Sequence, residues 1–182
     1  MKKELLLQIA KEAIENEFSH KDIDRDKLLA KYPELKKDGA TFVTLKQHGQ
    51  LRGCIGSIIA HRSLLDDLIY NAKSSAFKDP RFPPLREDEL PYTDIEISLL
   101  TPYKEIEYKD VEDLKKKIHP NIDGVILKLG SYQATFLPQV WEELPDFDLF
   151  FAHLCQKAGI NIASCLESHP HIYTYQVEKI EQ

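Results

Sequence analysis

Residues 40–57 constrain the fold more than any other stretch of this chain. Ala40 to Lys46 (ATFVTLK) alternates and is rich in β-formers, His48-Gly49-Gln50 reads as a turn, and Leu51 to Ser57 (LRGCIGS) returns as a second strand. Two such runs joined by a short turn predict a β-hairpin. Period-two alternation along the returning strand sends Leu51 and Ile55 to one face, and Arg52, Cys54 and Gly56 to the other. The hexapeptide Leu51–Gly56 is thus expected to pack on one side and to present a guanidinium beside a thiol on the other.

Around this hairpin the chain alternates helix and strand. Residues 2–18 carry Leu6, Ile9, Ala10, Ala13 and Ile14 at helical spacing, which predicts an amphipathic helix. Asp22 to Asp26 starts like a calcium loop, but Lys27 and Pro33 occupy the positions that need Gly and Glu, so it reads as a polar turn beside a short helix at Leu28-Leu29. Residues 63–77 predict the strongest helix, with Ser63 as its cap. Lys78 to Arg86 (KDPRFPPLR) has three prolines in nine residues and reads as a stiff extended loop. A half-buried strand is expected at 94–101 and a charged helix at 110–118. A second hairpin is expected over GVILKL and YQATFL (124–129 and 132–137), then a helix started by Pro138, another at 146–158 stopped by Gly159, and a closing strand at 172–177. Hairpins and separated strands among helices imply an α+β fold with a largely antiparallel or mixed sheet. No GxGxxG follows a strand, which excludes the dinucleotide-binding pattern.

The 182 residues suit one domain, 1–182, or two small lobes sharing a core. The net charge of −6 and the scattered basic residues disfavour nucleic acid and anionic membrane, both of which need clustered Lys and Arg. The longest basic run, Lys115-Lys116-Lys117, reads as a solvated helix face. The N-terminal apolar run is three residues long and no stretch reaches the ~18 of a membrane span, so a cytoplasmic location is expected. Three cysteines, Cys54, Cys155 and Cys165, imply no disulfide framework and no zinc site of ordinary spacing.

The chemistry of the central stretch follows from its neighbours. A cation beside Cys54 favours thiolate over thiol, and Arg52 is the nearest in sequence. Gly53 and Gly56 would let a ligand approach backbone N–H groups, or permit a bulge that re-aims Cys54. The bland alternative is a small apolar Cys on a core strand. A nucleophile also needs a base, and His48, His61 and His153 reach Cys54 only through folding. In Asp79-Pro80-Arg81-Phe82, Arg81 is a candidate second cation, while Asp79 and Phe82 read as a loop clamp and a core plug. Thr135 and Gln139, where a strand passes into a helix, are candidates for lining a site. His169-Pro170-His171 with Cys165 upstream is a weak metal signal, so no metal or cofactor is implied.

LRGCIGS at 51–57, AFKDPRFPPL at 76–85, GVILKLGSYQATFLPQVW at 124–141 and LCQKAGI at 154–160 together resemble the AMMECR domain family, whose prokaryotic members include the AmmeMemoRadiSam system protein A group. The resemblance runs in register over about residues 5–180. It implies two unequal lobes around a mixed, mostly antiparallel sheet. It also implies a site at Leu51–Gly56, in a cleft with the DPRF and LPQ segments nearby. For partners it implies a Memo-like protein and a radical S-adenosylmethionine protein. The family's reaction is not supplied by the resemblance. Ser164 to His169 departs from the usual Asp/Ala-Trp pattern before the last strand, so contacts of that region are not carried over. Three functions follow as expectations: a thiolate-dependent enzyme component using Cys54 and Arg52; a non-catalytic module holding an anionic small molecule or peptide on Arg52, Gly53, Gly56 and Arg81; and nucleic-acid association, which the acidic charge disfavours.

Overall fold

The computed structural model describes residues 3–182; Lys2, where the spacing predicts the first helix to begin, lies outside them. The described residues divide into two compact units. The first runs through Leu100 and takes back Glu178–Gln182, and the second is Thr101–Val177.

In the first unit, α1 (Lys3–Ser19) buries the predicted stripe of Leu6, Ile9, Ala10, Ala13 and Ile14. The run that starts like a calcium loop is a helix cap: Lys27 N–H donates to Asp24 Oδ1 at 3.0 Å and opens α2 (Arg25–Lys31). A 3-10 turn, Pro33–Lys36, leads into the predicted hairpin of β1 (Ala40–Gln47) and β2 (Gln50–Gly56). Its turn needs positive φ at His48 (51°) and Gly49 (75°). Then come α3 (Leu64–Phe77), a second 3-10 helix (Glu87–Tyr92) and β3 (Thr93–Leu100). Helices α1 and α3 cover the face of β1 and β3 that carries Val43, Leu45, Ile95 and Ile97. Leu85 rather than Phe82 is the proline loop's residue in this core, and Phe82 is only half-buried.

The second unit contains β4 (Lys104–Ile106), α4 (Val111–Lys117), β5 (Gly124–Leu129), β6 (Tyr132–Phe136), α5 (Val140–Glu143), α6 (Phe147–Ala158), α7 (Ile162–Cys165) and β7 (His171–Tyr175). Its core is aromatic: Trp141 stacks on Phe150 at 3.6 Å, against Leu114, Val125 and Leu127. Trp141 Nε1 donates to the Asp123 carbonyl at 2.8 Å, which satisfies its polar edge inside the core. A last strand, β8 (Val177–Glu181), returns to the first unit's sheet.

The fold is α+β. The strands form two sheets, ordered β2-β1-β3-β8 and β4-β7-β5-β6, rather than the single sheet that alternation suggests. The pairs β1/β2, β1/β3, β4/β7, β5/β6 and β5/β7 are antiparallel. Period-two alternation marks strands but not their partners, and the three residues of β4 are too few to alternate visibly. A second correction concerns cysteine: Cys155 and Cys165 form a disulfide inside the second core. Gly159, at φ 80°, ends α6 in the left-handed region and turns the chain back, bringing together two thiols ten residues apart.

Helix α3 is fastened to the sheet by a buried carboxylate. Asp67 is fully buried and accepts from Thr41 N–H (2.7 Å), Thr41 Oγ1 (2.8 Å), Ser57 Oγ (2.7 Å) and Asn71 Nδ2 (3.0 Å). The Arg62 guanidinium approaches it at 3.3 Å. Removing the carboxylate leaves these buried donors unpaired, so Asp67→Ala is expected to destabilise the chain by about 4 kcal/mol. Urea denaturation measures this; a loss under about 1 kcal/mol contradicts it.

Candidate functional site

The hexapeptide holds one residue more than its partner strand can match. Thr44 opposes Cys54 and Leu45 opposes Gly53, but Lys46 opposes Leu51, so Arg52 is the extra residue of a β-bulge. Directly opposed residues share a face. Leu51, Cys54 and Gly56 therefore lie on one face with Lys46, Thr44 and Phe42, while Gly53 and Ile55 lie on the helix-covered face with Leu45 and Val43. This corrects the expected alternation. Leu51 is exposed rather than packed, and Arg52 does not stand beside Cys54.

Arg52 is buried in an ion pair. Its Nε and Nη2 donate to the two carboxylate oxygens of Glu89, each at 3.0 Å. Gln47 Nε2 donates to the same Glu89 (3.3 Å) and to Thr93 Oγ1 (3.0 Å), which places the pair at the Gln47–Thr93 end of β1 and β3, on the Leu45 face. Arg52 Nη1 is buried with no hydrogen-bond partner among the described residues.

The glycines admit protein rather than open space. A Cβ on Gly53 would run into the Ser75 carbonyl oxygen, so glycine lets α3 lie directly on β2. The Phe42 ring fills the place of a Cβ on Gly56. Ser75 Oγ accepts Ile55 N–H at 2.9 Å and lies 2.7 Å from the Val43 carbonyl, so a helix hydroxyl stands within the β1/β2 ladder.

The Asp79-Pro80-Arg81 segment closes the free edge of β2. Cys54 N–H donates to Asp79 Oδ2 at 2.8 Å, and Arg81 Nη2 donates to the Cys54 carbonyl at 3.2 Å. Carboxylate and guanidinium thus take the hydrogen bonds that a neighbouring strand would take. Arg81 is itself gripped by Asp79, through its N–H (3.1 Å), Nε (3.0 Å) and Nη2 (2.7 Å). The Asp79 side chain is 2% exposed while that of Arg81 is 54% exposed, so the acid is sealed and the cation faces solvent. The hydrogen bond from Arg81 holds the Asp79 carboxyl far below the usual carboxylate range, against burial and with help from Cys54 N–H. The Arg81 pKa is raised, chiefly by the Asp79 hydrogen bond and in smaller part by the Cys54 sulfur.

Cys54 is the free, half-buried thiol, and its Sγ lies 3.2 Å from Thr44 Oγ1. Thr44 also opposes Glu96 on β3, so Cys54, Thr44 and Glu96 stand side by side on three strands. Glu96 accepts from Lys46 Nζ at 2.8 Å. Of the candidate bases, His61 Nδ1 is 2.9 Å from the Ile59 carbonyl, His48 sits in the hairpin turn beside the Tyr92 ring, and His153 belongs to α6 of the second unit. Thr44, Glu89 and Glu96 are not singled out by sequence. A hairpin register carrying the bulge would have placed Thr44 opposite Cys54; the glycines of LRGCIG allow a bulge but do not say at which residue it falls.

Thr135 and Gln139 lie in the second unit. The Thr135 hydroxyl is 3.2 Å from Tyr175 Oη, and Gln139 is an exposed residue just before α5 with no side-chain capping bond. His171 Nδ1 lies 2.6 Å from Glu105, and His169 stacks on Tyr108. Among the described residues no group of three or more His, Cys, Asp or Glu is arranged to hold a metal ion, and no helix is long and apolar enough to cross a membrane.

Comparison with known proteins matches the family model described as AMMECR1 to residues 7–180. A protein of Saccharolobus solfataricus, SSO0193, is 41% identical over 172 residues, covering 90% of this chain and 74% of that protein. A protein of Methanothermobacter thermautotrophicus is 38% identical over 138 residues, covering 75% of this chain and 72% of its own. The crystal structure of an uncharacterised protein of Pyrococcus horikoshii, PH0010, superposes with a TM-score of 0.81 at 34% identity, covering 97% of this chain and 89% of that one.

The buried ion pair gives the site a pH signature. Glu89 has its pKa lowered from 4.5 to about 2, first by the Arg52 hydrogen bond, against burial, and further by Arg86 N–H and Gln47. A carboxyl lowered by folding adds stability above its ordinary value, and that stability is lost as pH falls through the folded value. The urea midpoint of the native chain should therefore fall between pH 4.5 and 2 more steeply than that of Glu89→Gln. Parallel profiles for the two proteins contradict this.

Proposed function

The chain belongs to the AMMECR1 family, and we propose that its first unit binds an anionic group at the Cys54–Arg81 edge of β2, with Arg81 as the binding cation and Cys54 lining the site. The observation that carries this is the held guanidinium. Asp79 and the Cys54 carbonyl fix Arg81 in place while its side chain stays half exposed. A cation fixed before the ligand arrives loses little side-chain entropy on binding. A carboxylate or phosphate oxygen suits it, because Asp79 and the Cys54 carbonyl occupy Nε and Nη2 and leave Nη1 to donate a charge-assisted hydrogen bond. Gly53 and Gly56 serve this reading indirectly, by letting α3 and Phe42 set the position of β2. Arg52 serves it as the anchor of the bulge. Thr135 and Gln139 have no part in it.

A second reading is favoured by one observation. Arg81 Nη2 donates to the Cys54 carbonyl, so a guanidinium stands beside the residue that carries the thiol, and a cation next to a cysteine is an arrangement found around nucleophilic cysteines. In that reading Cys54 is the nucleophile of an enzyme component, and Arg81 rather than Arg52 is its activating cation. Memo-like and radical S-adenosylmethionine partners belong to this reading and rest on the family resemblance alone.

Titration with inorganic phosphate and with acetate, followed by backbone amide shifts, separates the two. Binding predicts saturable shifts at residues 54–57 and 79–82 that Arg81→Gln abolishes and Cys54→Ala keeps. Shifts that survive Arg81→Gln, or that are absent in the native chain, overturn the binding reading. Loss of binding in Cys54→Ala with Arg81 intact favours the thiolate reading.

A further inference from the structure

The disulfide of the second unit has a position that gives it a task. From Gly159, which ends α6, through His169, Cys165 is the one buried residue; Ile160 and Leu166 are half-buried and the rest are exposed. The single turn of α7 buries nothing but Cys165. Its partner Cys155 is 1% exposed and sits on α6 among Phe150, Phe151 and Leu154. The covalent bond is therefore the principal tie between an exposed segment and the core beneath it. At the end of that segment, from His169 on, the chain builds the wall of a cavity of about 250 Å³. There the His169 ring stacks on Tyr108 at 4.2 Å, and Tyr108 Oη donates to the Pro170 carbonyl at 2.6 Å. Glu105, Ile106, Glu107 and His171 complete the lining.

We propose that the Cys155–Cys165 bond is a redox-operated latch on residues 159–169, pinning the segment and the His169 wall when oxidised and releasing them when reduced. Opening consumes a dithiol reductant. One reductant thiolate attacks a chain sulfur to give a mixed disulfide, and the second reductant thiol displaces that sulfur. The two electrons and two protons end on Cys155 and Cys165 as thiols, and the reductant leaves as its own disulfide. Closing is the reverse exchange with a disulfide oxidant. Both sulfurs are buried, so exchange proceeds through local opening of the segment rather than on the closed surface.

Thiol counting on the full chain comes first. Unfolded without reductant, the protein should take one iodoacetamide, at Cys54; after dithiothreitol it should take three. Hydrogen exchange of the folded protein should then show amides of 159–169 exchanging about tenfold faster or more after reduction, with residues 124–136 unchanged. Treatment with oxidised glutathione should restore the slow rates. Cys165→Ala, which keeps an apolar side chain, should exchange like the reduced protein and ignore dithiothreitol. Should that variant not fold, the reductant arm decides alone. Three adducts before reduction overturn the proposal, as does equal exchange of 159–169 in the two redox states.

Discussion

The strand that carries Leu51 to Gly56 runs one residue longer than the strand it pairs with, and the chain absorbs the excess at Arg52. From that point the faces invert. Residues on the hairpin-turn side of the bulge and residues beyond it no longer alternate in one phase, so Arg52 goes to Glu89 while Cys54 looks the other way, toward Thr44. A buried guanidinium is tolerated there because Glu89 takes two of its nitrogens in a bidentate pair. Without that partner the cost of burying the charge would fall on the bulge itself.

Two further constraints hold the inverted strand in position. Gly53 lets α3 rest its backbone on β2, and Ser75 then reaches into the ladder between Val43 and Ile55. On the outer side Asp79 and Arg81 take the backbone bonds of Cys54 that a further strand would occupy. These contacts come from the proline-rich loop, whose prolines limit its freedom before it docks. Cys54 is thereby fixed through both its backbone N–H and its carbonyl, while its sulfur lies against the Thr44 hydroxyl. Such a thiol sits in a rigid frame beside a held cation, which is what either binding or chemistry at this edge requires.

Much of this was legible in the sequence. The stripe of α1, the cap of α3, both hairpins and the glycine stop after α6 follow from local periodicity and capping residues, and they stand where those rules place them. The family resemblance singled out Leu51–Gly56 and the DPRF segment, and Asp79 and Arg81 of that segment meet Cys54. What sequence left hidden was non-local. A bulge depends on the register between two strands, and one residue of slip reverses the assignment of faces. Glu89 finds Arg52 across 37 residues, Cys155 finds Cys165 through a left-handed turn, and β8 crosses back to a sheet begun more than a hundred residues earlier. None of these leaves a periodic trace.

The central claim is that Arg81, and not Arg52, is the cation that serves the Cys54 face. Alkylation of Cys54 by anionic iodoacetate and by neutral iodoacetamide tests it directly, because the ratio of the two rates cancels the thiolate fraction and reports only how the site treats a negative charge. The ratio should fall about threefold to tenfold in Arg81→Gln, the loss expected from a single nearby cation in a solvent-exposed site. In the paired variant Arg52→Gln/Glu89→Gln, which removes the buried charges together, it should stay at the native value. A ratio that is unmoved by Arg81→Gln, or that falls in the paired variant, contradicts the account.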